Sequence, residues 1–314
     1  MSTVKNNFSS LGILLFLSYT LSLHLQAGTF VLSTTDTRII GENSSTAMRE
    51  GDALVDIARR YNMGYEEMRL ANPELDPWLP EVGAVVTVPN QYILPDEPRE
   101  GIVLNLAEKR LYYFPPQEGP DDVQKVITHP ISIGRQNWNT PLGVTHIVQR
   151  LTQPAWYPPA AVRAEHEANG RPMPAVVPPG PDNPLGDYAL LLGISGYLIH
   201  GTNKPLSIGM RVSHGCIRLY PEDIAALFNR VGRGTPVRII DQPHKAAVRE
   251  GRLFVEVHPP TDETDAESRD IEPLLEIIRN EVESQPEIAA EDVDWERVSE
   301  VFQRADGMAY PVTQ

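Results

Sequence analysis

Ser213-His214-Gly215-Cys216-Ile217-Arg218 contains the only cysteine in the 314-residue sequence. Cys216 follows one histidine by two residues and another, His200, by sixteen. A free thiol is mostly protonated at neutral pH, so a nucleophilic cysteine needs a neighbouring base or positive charge. His200, His214 and Arg218 could supply both. Spacing alone leaves open the alternative that Cys216 is a small buried hydrophobic residue.

The N-terminal segment favours the catalytic interpretation. Lys5 precedes an apolar run from Leu11 to Leu25, and a polar stretch follows Ala27. This pattern is typical of a signal peptide, predicted here as residues 1–27 with cleavage near Ala27. An uncleaved anchor is the alternative. Exported proteins use structural cysteines in pairs, and one cysteine cannot form an internal disulfide, so Cys216 is better explained by chemistry than by packing.

Negative charge is concentrated at the C-terminus. Residues 261–314 hold sixteen acidic and four basic side chains, a net charge of −12 out of −15 for the whole chain. The remainder is nearly balanced and offers no basic face for phosphates, so no nucleic-acid partner is expected. We predict an acidic, helical C-terminal extension that either packs on the body or docks a protein partner. Two groups of apolar residues at helical spacing support its helices: Ile271, Leu274, Leu275 and Ile278, then Trp295, Val298 and Phe302.

Residues 44–90 are predicted to form a small α+β domain. A first helix carries Leu54, Ile57, Ala58 and Tyr61 on one face, and a second runs from Gly64 to Ala71. A strand at Val85–Val88 completes the unit. With Gly51-Asp52 and Asn72-Pro73, this plan resembles a divergent lysin-motif domain, a family that binds the N-acetylglucosamine backbone of peptidoglycan. The alternative is a cap that only packs on its neighbour.

Residues 100–241 are predicted to be mainly β. Two hairpins are expected, and His200 ends the last strand of the second, where its side chain can face a cleft. A helix should begin at Pro221, just after the cysteine segment. The proline-dense stretch 154–184 is predicted to be a semi-rigid loop over the cleft. The predicted strands are 102–106 and 111–114, 126–133, 144–148, 188–192 and 197–200, and 236–240.

Several short motifs in this region carry a resemblance to the L,D-transpeptidase catalytic-domain family. They are His200-Gly201-Thr202, the Ser213–Cys216 box with Arg218, Arg110-Leu111-Tyr112-Tyr113, Thr140-Pro141 with Gly143, and 180–186. The resemblance implies a β-sandwich-like catalytic domain with a short helix after the nucleophile. Together with the lysin-motif-like unit, the chain is most similar to the periplasmic group that attaches the major outer-membrane lipoprotein to peptidoglycan. That group commonly has arginine at the position of Arg218, whereas many members of the wider family have asparagine there. The acidic extension is not part of the pattern.

The residues and the resemblance together predict roles at the site. Cys216 is the nucleophile, and His200 is the proton donor and acceptor, oriented by the carbonyl of Gly201. His214 supports the site, and the amides of Gly215 and Cys216 are the oxyanion donors. Substrate binding is assigned to Arg218, Ser213, Tyr188 and Trp156. No cofactor is expected, and no metal, because the cysteine and two histidines lack a further cysteine pair or carboxylates.

The predicted reaction uses peptidoglycan stem peptides in the periplasm. The resemblance implies a tetrapeptide donor with meso-diaminopimelate followed by D-alanine, and a thiol that carbapenems acylate. The acceptor stays open: it is the C-terminal lysine of an outer-membrane lipoprotein, a second diaminopimelate in a 3-3 cross-link, or water in L,D-carboxypeptidase trimming. A non-catalytic wall-binding protein is the alternative of another class, and it would need no reactive cysteine.

Overall fold

The computed structural model describes residues 28–34, 36–119, 122–261 and 269–313. The predicted signal peptide, residues 1–27, lies outside these ranges and stays a prediction. Within them, none of the helices has both the length and the apolar character needed to cross a membrane.

The strands, in chain order, are β1 (Gly28–Val31), β2 (Ile39–Gly41), β3 (Ser44–Ala47), β4 (Val85–Val88), β5 (Gln91–Ile93), β6 (Gly101–Asn105), β7 (Arg110–Phe114), β8 (Lys125–Pro130), β9 (Ile133–Gly134), β10 (Gly143–Thr152), β11 (Tyr188–Leu192), β12 (Leu198–His200), β13 (Arg211–Ser213), β14 (Ile217–Arg218), β15 (Pro236–Ile240), β16 (His244–Arg249), β17 (Arg252–Val257) and β18 (Ala309–Pro311). The helices are α1 (Leu54–Arg60), α2 (Tyr65–Ala71), α3 (Ala160–Ala168), α4 (Pro221–Phe228), α5 (Glu272–Ser284) and α6 (Trp295–Arg304), with short 3-10 turns at Pro205–Ser207 and Ala290–Asp292.

A nine-stranded sheet forms the centre of the molecule, in the order β1-β8-β7-β6-β15-β10-β11-β12-β14. The predicted hairpins β6–β7 and β11–β12 are present as antiparallel pairs. β14 joins β12 in parallel, which places Arg218 beside His200 at the edge of the sheet. The prediction of a mainly β fold is confirmed, and the sheet edge is where the cysteine segment lies.

Both faces of this sheet are buried in its central part. Successive side chains of a strand point to opposite faces, so a strand covered on both sides is apolar throughout. Ile102 and Leu104 of β6 face a core that includes α4, whereas Val103 faces the N-terminal unit. β7 divides in the same way: Leu111 and Tyr113 on one side, Tyr112 and Phe114 on the other. The continuous apolar runs in the sequence follow from this double burial.

The N-terminal unit contains the predicted helices α1 and α2 and the predicted strand β4, which pairs with β3. It packs tightly on the segments that flank the cysteine box, within residues 100–241. Gly209 has φ +87° and lies so close that a Cβ atom there would meet the Tyr65 nitrogen at 2.3 Å. The Tyr65 amide donates to the Ile208 carbonyl at 2.9 Å, and the Tyr220 hydroxyl donates to the Met63 carbonyl at 3.1 Å. The unit is therefore fixed against the segments that flank the cysteine box.

The predictions for two segments need correction. The stretch 154–184 is not entirely loop, because α3 lies within it. The C-terminal extension is not a purely helical tail starting at residue 261. Its last strand, β18, pairs with β17, so it completes a unit that begins at β16. The predicted helices are present and cover this sheet, burying Leu274, Ile278, Val298 and Phe302.

A buried ionic cluster joins the C-terminal unit to the rest of the chain. The Lys245 ammonium contacts Glu108 Oε1 at 2.5 Å and Glu256 Oε1 at 2.7 Å, and it donates to the Ile93 carbonyl. The Ile93 amide in turn donates to Glu256 Oε2 at 2.7 Å. Burial alone would lower the pKa of Lys245, but Glu108 and Glu256 outweigh burial and raise that pKa. The cluster therefore links three parts of the chain through buried charges that compensate one another.

We expect Lys245→Met to destabilise the protein by about 3–5 kcal/mol, since it keeps most of the side-chain volume but leaves two buried carboxylates without their cation. Urea unfolding followed by circular dichroism measures the loss. The control is Arg279→Ala, which removes an ion pair with Glu272 whose side chains are 53% and 59% exposed. It should cost no more than about 0.5 kcal/mol. Equal losses from both substitutions would contradict the prediction.

Candidate active site

Three short elements bring the site together. His200 is the last residue of β12, Arg218 is its register neighbour on β14, and Cys216 directly precedes β14. β9 pairs with β13 on the other side of the cysteine loop. The fold therefore gathers His200, Arg218 and Cys216, which the sequence placed at one site.

Cys216 is the free thiol at the centre, and its side chain is partly exposed. Burial raises the pKa of the Cys216 thiol above its ordinary value, while a backbone hydrogen bond from Leu198 and the charge of Arg218 oppose that rise. Sγ also lies 3.6 Å from the carbonyl oxygen of Gly196, within reach as a donor. The resting residue is a protonated thiol that needs a base before it can attack.

His200 is buried, with 3% of its surface exposed. Its Nδ1 lies 2.6 Å from the carbonyl oxygen of Gly201, the group expected from the sequence to orient it. An N–H at Nδ1 donates to that oxygen, which leaves Nε2 with a lone pair. Burial, and then the charge of Arg218, lower the pKa of His200 to about 3. The imidazole is therefore uncharged at neutral pH, with its free lone pair on Nε2.

The cysteine loop is held by its own polar groups and by Thr140. Gly215 has φ +98°, and a Cβ atom there would meet the Tyr197 ring at 2.9 Å, so the turn requires glycine. The Thr140 hydroxyl donates to the Gly215 carbonyl at 2.8 Å, and the Ser213 hydroxyl donates to the Cys216 carbonyl at 2.5 Å. Ser213, predicted to bind substrate, thus shapes the loop.

The Gly215 amide departs from its predicted role. It already donates to the Ser213 hydroxyl oxygen at 3.1 Å. An oxyanion would have to share or displace that bond, so we carry only the Cys216 amide forward as an oxyanion donor.

Arg218 is a half-buried cation beside the thiol. Its Nε is buried and has no hydrogen-bond partner, and it makes no ion pair within the part of the chain that the structure describes. Burial lowers its pKa, and the nearby Cys216 opposes the shift. A guanidinium without a resident carboxylate, next to a nucleophile, is suited to receive an anionic group.

His214 lies in a separate cluster. Its Nε2 is 3.2 Å from Arg135 Nη2 and 3.3 Å from Glu165 Oε2, and the Trp138 ring meets its ring edge-on at 4.8 Å between centroids. Burial and then Arg135 lower the pKa of His214. Sequence reasoning missed Arg135 and Glu165, because Glu165 lies on α3 within the stretch expected to be loop.

The two predicted aromatic residues have different surroundings. The Tyr188 ring packs on Phe228 of α4 at 4.8 Å between centroids, which is a core position. Trp156 is half-buried, and its backbone pairs with Val177 to close the base of the 154–184 segment. We therefore keep Trp156, but not Tyr188, among the proposed substrate contacts.

Possible metal ligands gather elsewhere. Among the described residues, the one group of three that could hold an ion is Glu108, Glu256 and His258. The Lys245 ammonium is already bonded to both of those carboxylates. The side chains of His200, His214 and Cys216 do not converge on one point in this way.

Comparisons with known proteins agree with this geometry. The sequence profile of the L,D-transpeptidase catalytic domain, YkuD, matches residues 99–239. The chain is 45% identical over 249 residues to "Probable L,D-transpeptidase YcfS" of Escherichia coli K12, covering 77% of this chain and 76% of the relative. It is 44% identical over 289 residues to "Probable L,D-transpeptidase YbiS" of the same strain, covering 90% and 91%. It is 41% identical over 279 residues to "Probable L,D-transpeptidase ErfK/SrfK" of Salmonella typhimurium, covering 86% of each. The chain therefore belongs to the L,D-transpeptidase family of enzymes.

Proposed function

We propose that this L,D-transpeptidase transfers the acyl group of a peptidoglycan tetrapeptide stem, through a thioester on Cys216, to an amine acceptor in the periplasm. The observation that carries the proposal is the strand register at the sheet edge, which sets the oriented imidazole of His200 beside Arg218, a guanidinium with an unpaired Nε on the strand that directly follows Cys216. The family membership supports the reaction type.

The chemistry follows from the protonation states. His200 takes the proton of the Cys216 thiol through Nε2 as sulfur attacks the carbonyl of diaminopimelate. The imidazolium then gives that proton to the departing amine of D-alanine, leaving a thioester. In the second half, His200 accepts a proton from the incoming amine, the new amide forms, and the thiol is restored.

Two groups are proposed to stabilise charge during these steps. The Cys216 amide donates to the oxygen of the tetrahedral intermediate. Arg218 favours negative charge on sulfur, since it lowers the pKa of Cys216 against the effect of burial. As a guanidinium without an internal carboxylate, Arg218 also binds a carboxylate of the stem.

The acceptor we favour is the C-terminal lysine of an outer-membrane lipoprotein. Support comes from the arrangement of the chain, in which a lysin-motif-like unit precedes the catalytic domain and arginine follows the cysteine. The N-terminal unit would bind the glycan backbone, and its tight packing near Gly209 would hold the enzyme on the wall. The alternative acceptors are a second diaminopimelate and water.

We expect the purified enzyme to release D-alanine from sacculi that carry tetrapeptide stems and to link a lipoprotein acceptor to diaminopimelate. Muropeptide analysis by mass spectrometry, with and without a soluble lipoprotein, measures both products. The Cys216→Ala protein is the control. If D-alanine release gives 3-3 dimers and no lipoprotein conjugate, the acceptor is a second diaminopimelate. If it gives tripeptides alone, the acceptor is water and the reaction is trimming. No change in any stem would contradict the proposed function.

A further inference from the structure

Arg135, Glu165 and His214 form a charged cluster that the reaction described above does not use. Arg135 Nη2 is in close contact with Glu165 Oε2, and His214 Nε2 lies 3.2 Å from the same nitrogen. The same His214 Nε2 lies 3.3 Å from Glu165 Oε2, so it accepts from Arg135 when it carries a lone pair and donates to Glu165 when it carries a proton. His214 thus contacts both members of the Arg135–Glu165 ion pair beside the cysteine loop.

The two charged residues are anchored differently. Arg135 belongs to the body of the domain: it follows β9, and its amide donates to the Ser213 carbonyl at 3.0 Å. Glu165 belongs to α3, which buries one side chain of its own, Val162. The base of the 154–184 segment is fastened separately, since the Asn183 side chain donates to the Pro154 carbonyl at 2.8 Å. The carboxylate can therefore leave Arg135 without unfolding the segment.

Glu165 does not accept hydrogen bonds from all donors of the Arg135 guanidinium. The Glu165 carboxylate contacts Nη2, whereas Nε of Arg135 is buried and has no acceptor within the described residues. Arginine binds a carboxylate best through two parallel hydrogen bonds, and Nε with Nη2 is one edge that offers them. The buried, unused donor points to a second ligand for this edge.

Resting on the proposed function, we propose that Arg135 is a substrate-binding residue that takes a carboxylate of the stem peptide, and that Glu165 occupies this position in the unliganded enzyme. The side chains of Arg135 and Glu165 are 38% and 32% exposed. An ion pair so exposed contributes little, because solvent screens its charges. A substrate carboxylate bound to both donors in a closed cleft can displace it.

The charge pattern around Cys216 fits such a ligand. Arg218 lies next to the cysteine on β14, and Arg135 is hydrogen-bonded through its backbone to Ser213 at the start of the cysteine loop. The tetrapeptide donor carries several carboxylates along its length. Two guanidiniums, one on β14 and one directly after β9, would hold two of them and fix the position of the scissile bond relative to sulfur.

A purely structural function of the cluster makes a different prediction. If the ion pair only held α3 against the cysteine loop, removing either charge would loosen the same contact. Both substitutions would then weaken substrate binding. If Glu165 competes with substrate for Arg135, the two substitutions have opposite effects, because removing the competitor strengthens binding.

The test measures the Kd of a soluble tetrapeptide by titration calorimetry in the Cys216→Ala protein, which binds without turnover. We expect Arg135→Gln to weaken binding on the order of tenfold and Arg135→Lys to restore part of the loss. Glu165→Gln should tighten binding about two- to fivefold. Arg163→Gln, which removes an α3 cation that donates to the Pro158 carbonyl at 3.2 Å, is the matched control and should leave Kd unchanged.

Peptides amidated at one carboxylate at a time identify the group that Arg135 binds. Amidation of that carboxylate should weaken binding to the parent protein and have no further effect in Arg135→Gln. Loss of affinity in both Arg135→Gln and Glu165→Gln, or no change in either, would overturn the inference. Turnover of the same peptide by the enzyme with Cys216 intact tests the proposed function separately, since it does not depend on these differences in Kd.

Discussion

Cys216→Ala is expected to abolish transpeptidation while leaving the protein folded. The substitution removes the atom that carries the acyl group, and no other cysteine in the sequence can replace it. Alanine fits the space of the thiol, so the loop held by Thr140 and Ser213 should persist. D-alanine release from tetrapeptide sacculi measures the loss, and near-ultraviolet circular dichroism with thermal unfolding measures the integrity of the fold.

A carbapenem provides an independent measurement of the same thiol. We expect intact-mass spectrometry to show one adduct on the native chain and none on Cys216→Ala, since the strained lactam is attacked like an acyl donor. Cys216→Ser is the close structural control, and its weaker nucleophile should react far more slowly. An alanine variant with full activity, or an adduct that persists without the cysteine, would rule out the proposed nucleophile.

The central fold could be predicted because its signals are local. Apolar strands such as β7 and β11, the turns between them, and the proline that opens α4 are each visible within a few residues. The strand β16 was missed because it contains Lys245, a charge that a sequence pattern places in solvent. Glu108 and Glu256 make its burial possible, and only the folded chain brings them together.

The site residues likewise separate into those with local sequence signals and those brought in by tertiary contacts. Cys216, His200 and Arg218 could be predicted together because two short motifs contain them, and β12 and β14 are neighbours in the sheet. Arg135 and Glu165 were not found, because α3 lies in a proline-dense stretch and its contact with the cysteine loop is purely tertiary. The Gly215 amide was assigned too simply, since sequence could not show that the Ser213 hydroxyl accepts its hydrogen bond.

We expect His200→Gln to slow acylation of Cys216 by about 10²- to 10⁴-fold, the usual effect of a positioned acid–base group. Glutamine keeps an N–H that can donate to the Gly201 carbonyl but has no basic nitrogen, so it removes the proton acceptor without leaving that carbonyl unpaired. The rate of carbapenem adduct formation, followed by rapid-quench mass spectrometry, measures acylation directly. Full activity in this variant would exclude His200 as the base.

His214→Gln is the matched comparison, because it changes the other histidine near the cysteine in the same way. It should reduce the acylation rate by less than about tenfold, since His214 contacts the Arg135–Glu165 ion pair and carries no proton in the proposed reaction. The pH profile separates the mechanisms further. The pKa of His200 is lowered to about 3 and that of Cys216 is raised, so neither group titrates between about pH 5 and pH 8. The native acylation rate should therefore be flat across this interval, whereas a thiolate–imidazolium pair would give a rising acid limb. A larger loss in His214→Gln than in His200→Gln would transfer the role of the base to His214.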